Sequence, residues 1–346
     1  MSGTRVRLTQ QDIDSAFSAE QLVVFYQPQL SLGSGEIASL EAFIRWDHPK
    51  FGLMAPNLFL NFMESQGRIH EVTKFVLKRA IESARILRSK NLDWPISINI
   101  PLGTLLEPSF VETLTQLVNT PALGPGRLSL DIPEGALAAR YLEDWPDFAP
   151  VLAQLEQAGI GLALDGPGAR PFELRQIKPF PFSEVKIGGQ SIINFALSTV
   201  FTRRGLIPSR VAFADKNHLT TTAVGVENEE TLHALVDLGF DRVQGRLFRG
   251  PSTLRDLLSW YEADYAAKID ALAPALRLAK EPMEPAVDDR ADVAGADDPS
   301  AGDPSGSWLD RFAKLPVGNS LKSVLRLNRD RQGDAAKEEP RFASGQ

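Results

Sequence analysis

The chain has 346 residues, 43% hydrophobic and 23% charged. That is globular composition with room for one large domain or two medium ones, and it excludes a collagen-like, wholly disordered or mini-protein chain. With no cysteine and four scattered histidines it can build no disulfide framework, thiolate nucleophile or Cys-ligated centre, so any metal must be held by oxygen ligands. The net charge of −7 is local: residues 1–280 carry 28 basic and 31 acidic side chains, 281–306 one and eight, and 307–332 six and two.

The first twenty residues hold no apolar run of signal-peptide length, and no stretch reaches the roughly eighteen residues needed to cross a bilayer. A cytoplasmic protein without a transmembrane segment is therefore expected, and no nucleic-acid partner. Residues 1–20 read as a lead-in helix. Short apolar, β-rich runs follow at 22–30, 39–46, 95–100, 128–132, 161–165, 184–187, 220–224 and 242–245. Helical patterns lie between them at 72–90, 108–119, 147–159 and 228–239. Eight strands alternating with helices predict an α/β fold of the (β/α)₈ TIM-like barrel type. The first connection, SLGSGE (31–36), is too short for a crossover helix, so the first strand should be antiparallel. An open doubly wound sheet is the alternative.

The barrel is assigned to 21–262 and a closing helix to 263–280. Residues 281–306 are Pro, Gly, Ala, Ser and Asp with almost nothing to bury, an acidic disordered linker. In 307–328, Trp308, Leu309 and Phe312 and then Leu321, Val324 and Leu325 recur at helical spacing among Lys and Arg. This basic amphipathic segment can fold back on its own domain, dock on a partner protein or lie at a membrane interface, and recruitment to a membrane-associated or polar complex would follow from the last two. Residues 329–346 are a disordered tail.

In such a barrel the C-terminal strand ends build the site. Asn99, Asp131, Asp165, Lys186 and Gln244 fall at those ends, and Glu41 and Arg45, four apart on one strand, face the same way. Carboxylates, an amide and a lysine converging at one mouth suit a divalent ion and a phosphate ester. Taken singly, each is also a plausible strand-end hydrogen bond.

The ordered motifs FYQPQ (25–29), EAFIRW (41–46), INIP (98–101), LDIPE (130–134), LDGPG (164–168), VKIG (185–188), VGVE (224–227) and FDRVQGRLFRGP (240–251) are collinear with a known family. Over residues 8–260 the chain resembles the EAL family of cyclic di-GMP phosphodiesterases and their non-catalytic relatives. The resemblance implies a barrel with an antiparallel first strand, and hydrolysis of one phosphodiester bond of cyclic di-GMP by a water held between two Mg²⁺ or Mn²⁺ ions.

As the resemblance maps them, Glu41, Asn99, Asp131 and Asp165 would hold the first ion, with Asp131 a methylene shorter than the Glu usual there, and Lys186 would assist the water. The second ion's set is broken: the paired DD reads Asp165-Gly166, the first Glu of EGVE reads Val224, and the Asp two positions after the lysine reads Gly188. The loop reading ARPFE (169–173), which orders metal and dimer contacts in active relatives, also diverges, leaving a homodimer open. Glu134 and Glu227, loop anchors in the family, are kept. Glu41 and Lys186 are thus expected to be catalytic vestiges and hydrolysis lost. Non-catalytic relatives bind the dinucleotide without metal, and the matching positions here are Gln27, Phe43, Arg45, Gln244, Phe248 and Pro251, with Arg246 and Arg249 adding charge. Three readings stand: a metal-independent cyclic di-GMP receptor relaying to a protein partner, a ligand-free interaction scaffold, or a weak one-metal phosphodiesterase.

Overall fold

The computed structural model describes residues 6–118, 124–166, 181–188, 192 and 206–277. The loop 169–173, the linker 281–306, the segment 307–328 and the tail 329–346 lie outside the described residues.

Helix α1 (Gln10–Ser18) starts at a capping box in which Thr9 and Asp12 satisfy each other's backbone N–H groups. Strands β1 (Leu22–Ser31) and β2 (Ile37–His48) form the expected antiparallel hairpin, and a short β3 (Gly52–Met54) extends β2 beyond the barrel. A 3₁₀ turn (Pro56–Leu58) and α2 (Leu60–Ser65) lead to α3 (Ile69–Ser89), which buries Val72, Val76, Ala80 and Leu87 and leaves Lys74, Lys78 and Arg85 in water. The chain continues through β4 (Ile96–Asn99), α4 (Leu102–Leu105), α5 (Pro108–Val118), β5 (Leu128–Pro133), α6 (Glu134–Gln157), β6 (Gly161–Gly166) and β7 (Glu184–Gly188). It ends with α7 (Leu206–Lys216), β8 (Thr220–Val224), α8 (Glu229–Asp237), β9 (Arg242–Gln244), α9 (Leu254–Ala263) and α10 (Tyr265–Arg277).

The strands run in the order β1, β9, β8, β7, β6, β5, β4, β2, and β2 returns to β1. That second pairing closes the sheet and excludes the open doubly wound alternative. Every barrel pairing is parallel except the two made by β1. Alternation along each strand divides two environments. Ile98, Leu130, Leu162 and Leu164 face outward into a buried shell beneath the helices, whereas Ser97, Asn99, Asp131, Asp165 and Lys186 face the barrel interior.

The elements go beyond the sequence expectation at several short helices, at α6 and at β3. The helix expected at 147–159 begins thirteen residues earlier, at Glu134, and runs through Pro146 and Pro150. Each proline removes only its own N–H from the ladder, and flanking turns carry the helix past it. The β3 extension was not expected, because three residues are too few for a periodic signal.

A barrel with a polar heart and an internal ammonium

The β1–β9 seam is thin. Only Leu30 with Val243 and Ser31 with Arg242 pair across it in register, and a bridge from Tyr26 to Ser252 resumes nearer the mouth. Between these points side chains replace the backbone. Ser39 Oγ donates to Gln29 Oε1 (2.6 Å), Gln29 Nε2 to Gln244 Oε1 (3.2 Å), Gln244 Nε2 to Gln27 Oε1 (3.1 Å), and Gln27 Nε2 to the carbonyl of Arg249 (2.9 Å). Gln27 and Gln244, expected at the ligand, thus sit in a buried amide chain that stitches the seam and holds the 245–251 loop.

Across the barrel, Lys186 is fully buried on β7. Its Nζ lies 2.5 Å from Asp131 Oδ2, 3.2 Å from Ser97 Oγ and 3.7 Å from Glu41 Oε2. Ser97 Oγ also donates to Asp131 Oδ2 (2.9 Å), and Asn99 Nδ2 to Glu41 Oε1 (2.9 Å). Burial opposes the charge on Lys186, but the fields of Asp131, Glu41 and Glu184 overcome it and hold the ammonium above its ordinary range. Burial pushes the Asp131 carboxyl above its ordinary range, Lys186 pulling it down and Glu41 pushing it further up. Two buried carboxylates therefore share one internal cation. Two residues deeper, Glu184 accepts from Thr222 Oγ1 (2.5 Å) and faces Arg242 (3.5 Å).

Nearer the mouth the structure places the remaining expected residues. Arg45, 6% exposed, lies with its guanidinium 5.6 Å from the Phe25 ring centre and 5.8 Å from that of Phe43. Its guanidinium donates to the carbonyl of Ile44, and no carboxylate among the described residues forms an ion pair with it. Burial draws its pKa down to about 10. Phe43 and Phe248 are buried and Pro251 is half-buried. Arg249 is committed locally: it donates to Ser252 Oγ and the Asp256 carbonyl and stacks on Trp260 at 5.1 Å. Arg246 and Glu227 are exposed.

The donors that the resemblance gives to a first ion are of the right hard-oxygen type, but they are not arranged for it. The Lys186 ammonium is inserted between Asp131 and Glu41, and the Asn99 amide turns its N–H₂ to Glu41. Among the described residues no three acidic or histidine side chains gather so as to hold an ion. The positions that the resemblance gives to a second ion are filled differently. A β-carbon at Gly166 would lie 2.1 Å from Glu134 Oε2. The Glu134 carboxylate is gripped by both terminal nitrogens of Arg210, and both residues are buried. Gly188 and Val224 pair in register, and a β-carbon at 188 would stand 3.0 Å from that of Val224. The residues present therefore do not fit the two-ion site. Arg210 escaped the sequence reading because one arginine within a helical pattern carries no signal of its partner.

A model of the EAL domain matches residues 10–251. The chain belongs to the EAL domain family. Among curated relatives, the cyclic di-GMP phosphodiesterase NbdA of Pseudomonas aeruginosa is 29% identical over 276 residues, covering 77% of this chain and 34% of the relative. The bifunctional diguanylate cyclase/cyclic di-GMP phosphodiesterase MucR of the same organism is 29% identical over 249 residues, 72% of this chain and 36% of the relative. This EAL chain thus spans about a third of the length of each of these relatives. The structure of the PaMucR phosphodiesterase in complex with c-di-GMP superposes with a TM-score of 0.65 at 29% identity, covering 71% of this chain and 98% of that one. The Xanthomonas citri FimX EAL domain in complex with c-diGMP shares the fold at a TM-score of 0.60 and 19% identity, covering 70% and 92%. Among the described residues no helix is long and apolar enough to cross a membrane.

Proposed function

We propose that this EAL domain is a metal-independent receptor for cyclic di-GMP: the barrel mouth binds the dinucleotide, does not hydrolyse it, and passes its occupancy to a protein partner. The observation that carries this reading is Arg45. A guanidinium desolvated between two aromatic rings and without a carboxylate partner among the described residues is costly to leave uncompensated. A phosphate oxygen is the ligand its planar fork suits, and the PaMucR phosphodiesterase, 29% identical, is a c-di-GMP complex. Loss of hydrolysis is supported by Gly166 and Val224, where carboxylates for a second ion are missing, and by the ammonium seated among the first ion's donors.

The test is calorimetric titration of the full chain with cyclic di-GMP in EDTA. Binding is expected, and Arg45→Ala should weaken it by about 2 kcal/mol, the worth of a charge-assisted hydrogen bond. A flat trace at ~100 μM ligand, an affinity below about 5.5 kcal/mol, would leave the scaffold reading, which the burial of Phe43 and Phe248 favours. Linearisation in Mn²⁺ that disappears in Glu41→Ala would instead establish a phosphodiesterase.

A further inference from the structure

We propose that Arg210 is a built-in replacement for the second divalent ion: its pair with Glu134 occupies the space that a carboxylate at position 166 would need, and so excludes that ion from the rim. The inference rests on the family assignment of positions 166 and 224 and not on the dinucleotide reading, so a flat cyclic di-GMP titration leaves it standing.

Arg210 is the fifth residue of α7 and only 3% exposed. Burying a guanidinium on a helix face is tolerated only where a carboxylate meets it with good geometry. Glu134, the first residue of α6, does so with both oxygens, while Arg210 Nε has no hydrogen-bond partner among the described residues. The pair links the starts of two helices that flank β6 and β7, directly outside the end of β6.

The geometry at Gly166 makes the pair mutually exclusive with the carboxylate that the family pattern has there. A β-carbon there would fall 2.1 Å from Glu134 Oε2 and 3.0 Å from Glu134 Cβ, so no side chain fits while the pair stands. The opposing oxygen is pinned by a buried bidentate ion pair, so it is not the free end of a flexible chain that can swing aside. Across the rim, Gly188 packs against Val224 in the same way, at 3.0 Å between β-carbons. The missing carboxylate at 166 is therefore not a simple deletion awaiting repair: its space is taken by Glu134, which a buried guanidinium holds in place.

The test counts Mn²⁺ bound per chain by EPR titration, with a thermal melt for each protein. The wild-type chain should lack a second bound ion; two tightly bound Mn²⁺ would overturn the proposal. The same count is made on Gly166→Asp/Val224→Glu with Arg210 kept, and again with Arg210→Met added. The variant that keeps Arg210 should gain no ion, whereas the one that loses it should gain one and melt higher when Mn²⁺ is present. An equal gain in the two backgrounds, or none in either, would show that Arg210 excludes nothing. Should the triple variant fail to fold, the count is made on Gly166→Asp with and without Arg210→Met, and an equal count in the two would overturn the proposal.

Discussion

At the scale of single residues, Lys186 is the most consequential charge in the barrel. Its removal as Lys186→Met would leave Asp131 and Glu41 buried with no cation between them, a loss expected to cost about 3–5 kcal/mol by urea unfolding. Lys186→Met/Asp131→Asn removes one of the two like charges as well, and should be the more stable of the two variants. If the double variant is the less stable, the ammonium is not what balances the carboxylates. The identities of this cluster were legible in the sequence, because strand ends in a barrel converge on one mouth whatever their side chains. Its geometry was not. That Lys186 would turn to Asp131, that Gln27 and Gln244 would satisfy each other, and that Glu134 would fill the space at Gly166 depend on partners 32 to 217 positions apart.

At the scale of elements, the seam between β1 and β9 is where the barrel should open first, since two register pairs and an amide chain hold it. Gln244→Leu would leave the buried amides of Gln27 and Gln29 short of partners, at roughly 1–3 kcal/mol for each group left unsatisfied. Faster hydrogen exchange in the 245–251 loop than in β5 and β6 is the expected signature, and uniform exchange would show that the amides carry no load. Two tyrosines fasten elements to this region. Tyr26 Oη meets Ser83 Oγ at 2.7 Å, joining β1 to α3, and Tyr265 Oη donates to the carbonyl of Gly35 in the first hairpin. Burial pushes both phenols up to about 12. The folded state then holds these protons more tightly than the unfolded chain, so their contribution to stability should fall as pH rises from about 10 towards 12. An ultraviolet phenolate titration should find Tyr26→Phe lacking one late, unfolding-linked step. The eight strands were legible because each is a short apolar run between turn signals. The full length of α6 was not, since proline marks a break in sequence whether or not neighbouring turns bridge it.

At the scale of the whole molecule, the two ends of the barrel have separate tasks. The parallel strands point their C-terminal ends at the mouth, so the β1–β2 hairpin, which leads into the start of β2, lies at the opposite end. Helix α10 packs there: a β-carbon at Gly35 would touch Ile269 at 2.9 Å and Leu276 at 3.5 Å. Leu272 and Leu276 are buried, each worth about 1.5–3 kcal/mol on burial. Tyr265 adds ring contacts to Trp260 and Tyr261. Helix α10 therefore belongs to the folded unit, and the chain leaves the described structure at the end of the barrel remote from Arg45. Two truncations separate these consequences. Stopping the chain after residue 280 should leave the melting temperature and any cyclic di-GMP affinity unchanged, because nothing in the described core or mouth is removed. Stopping it after residue 263 should lower the melting temperature by about 10 °C or more, as several kcal/mol of apolar burial is lost from a domain of this size. Equal melting temperatures for the two would mean that α10 is an appendage, whereas a changed affinity on removing only 281–346 would mean that those residues reach the mouth.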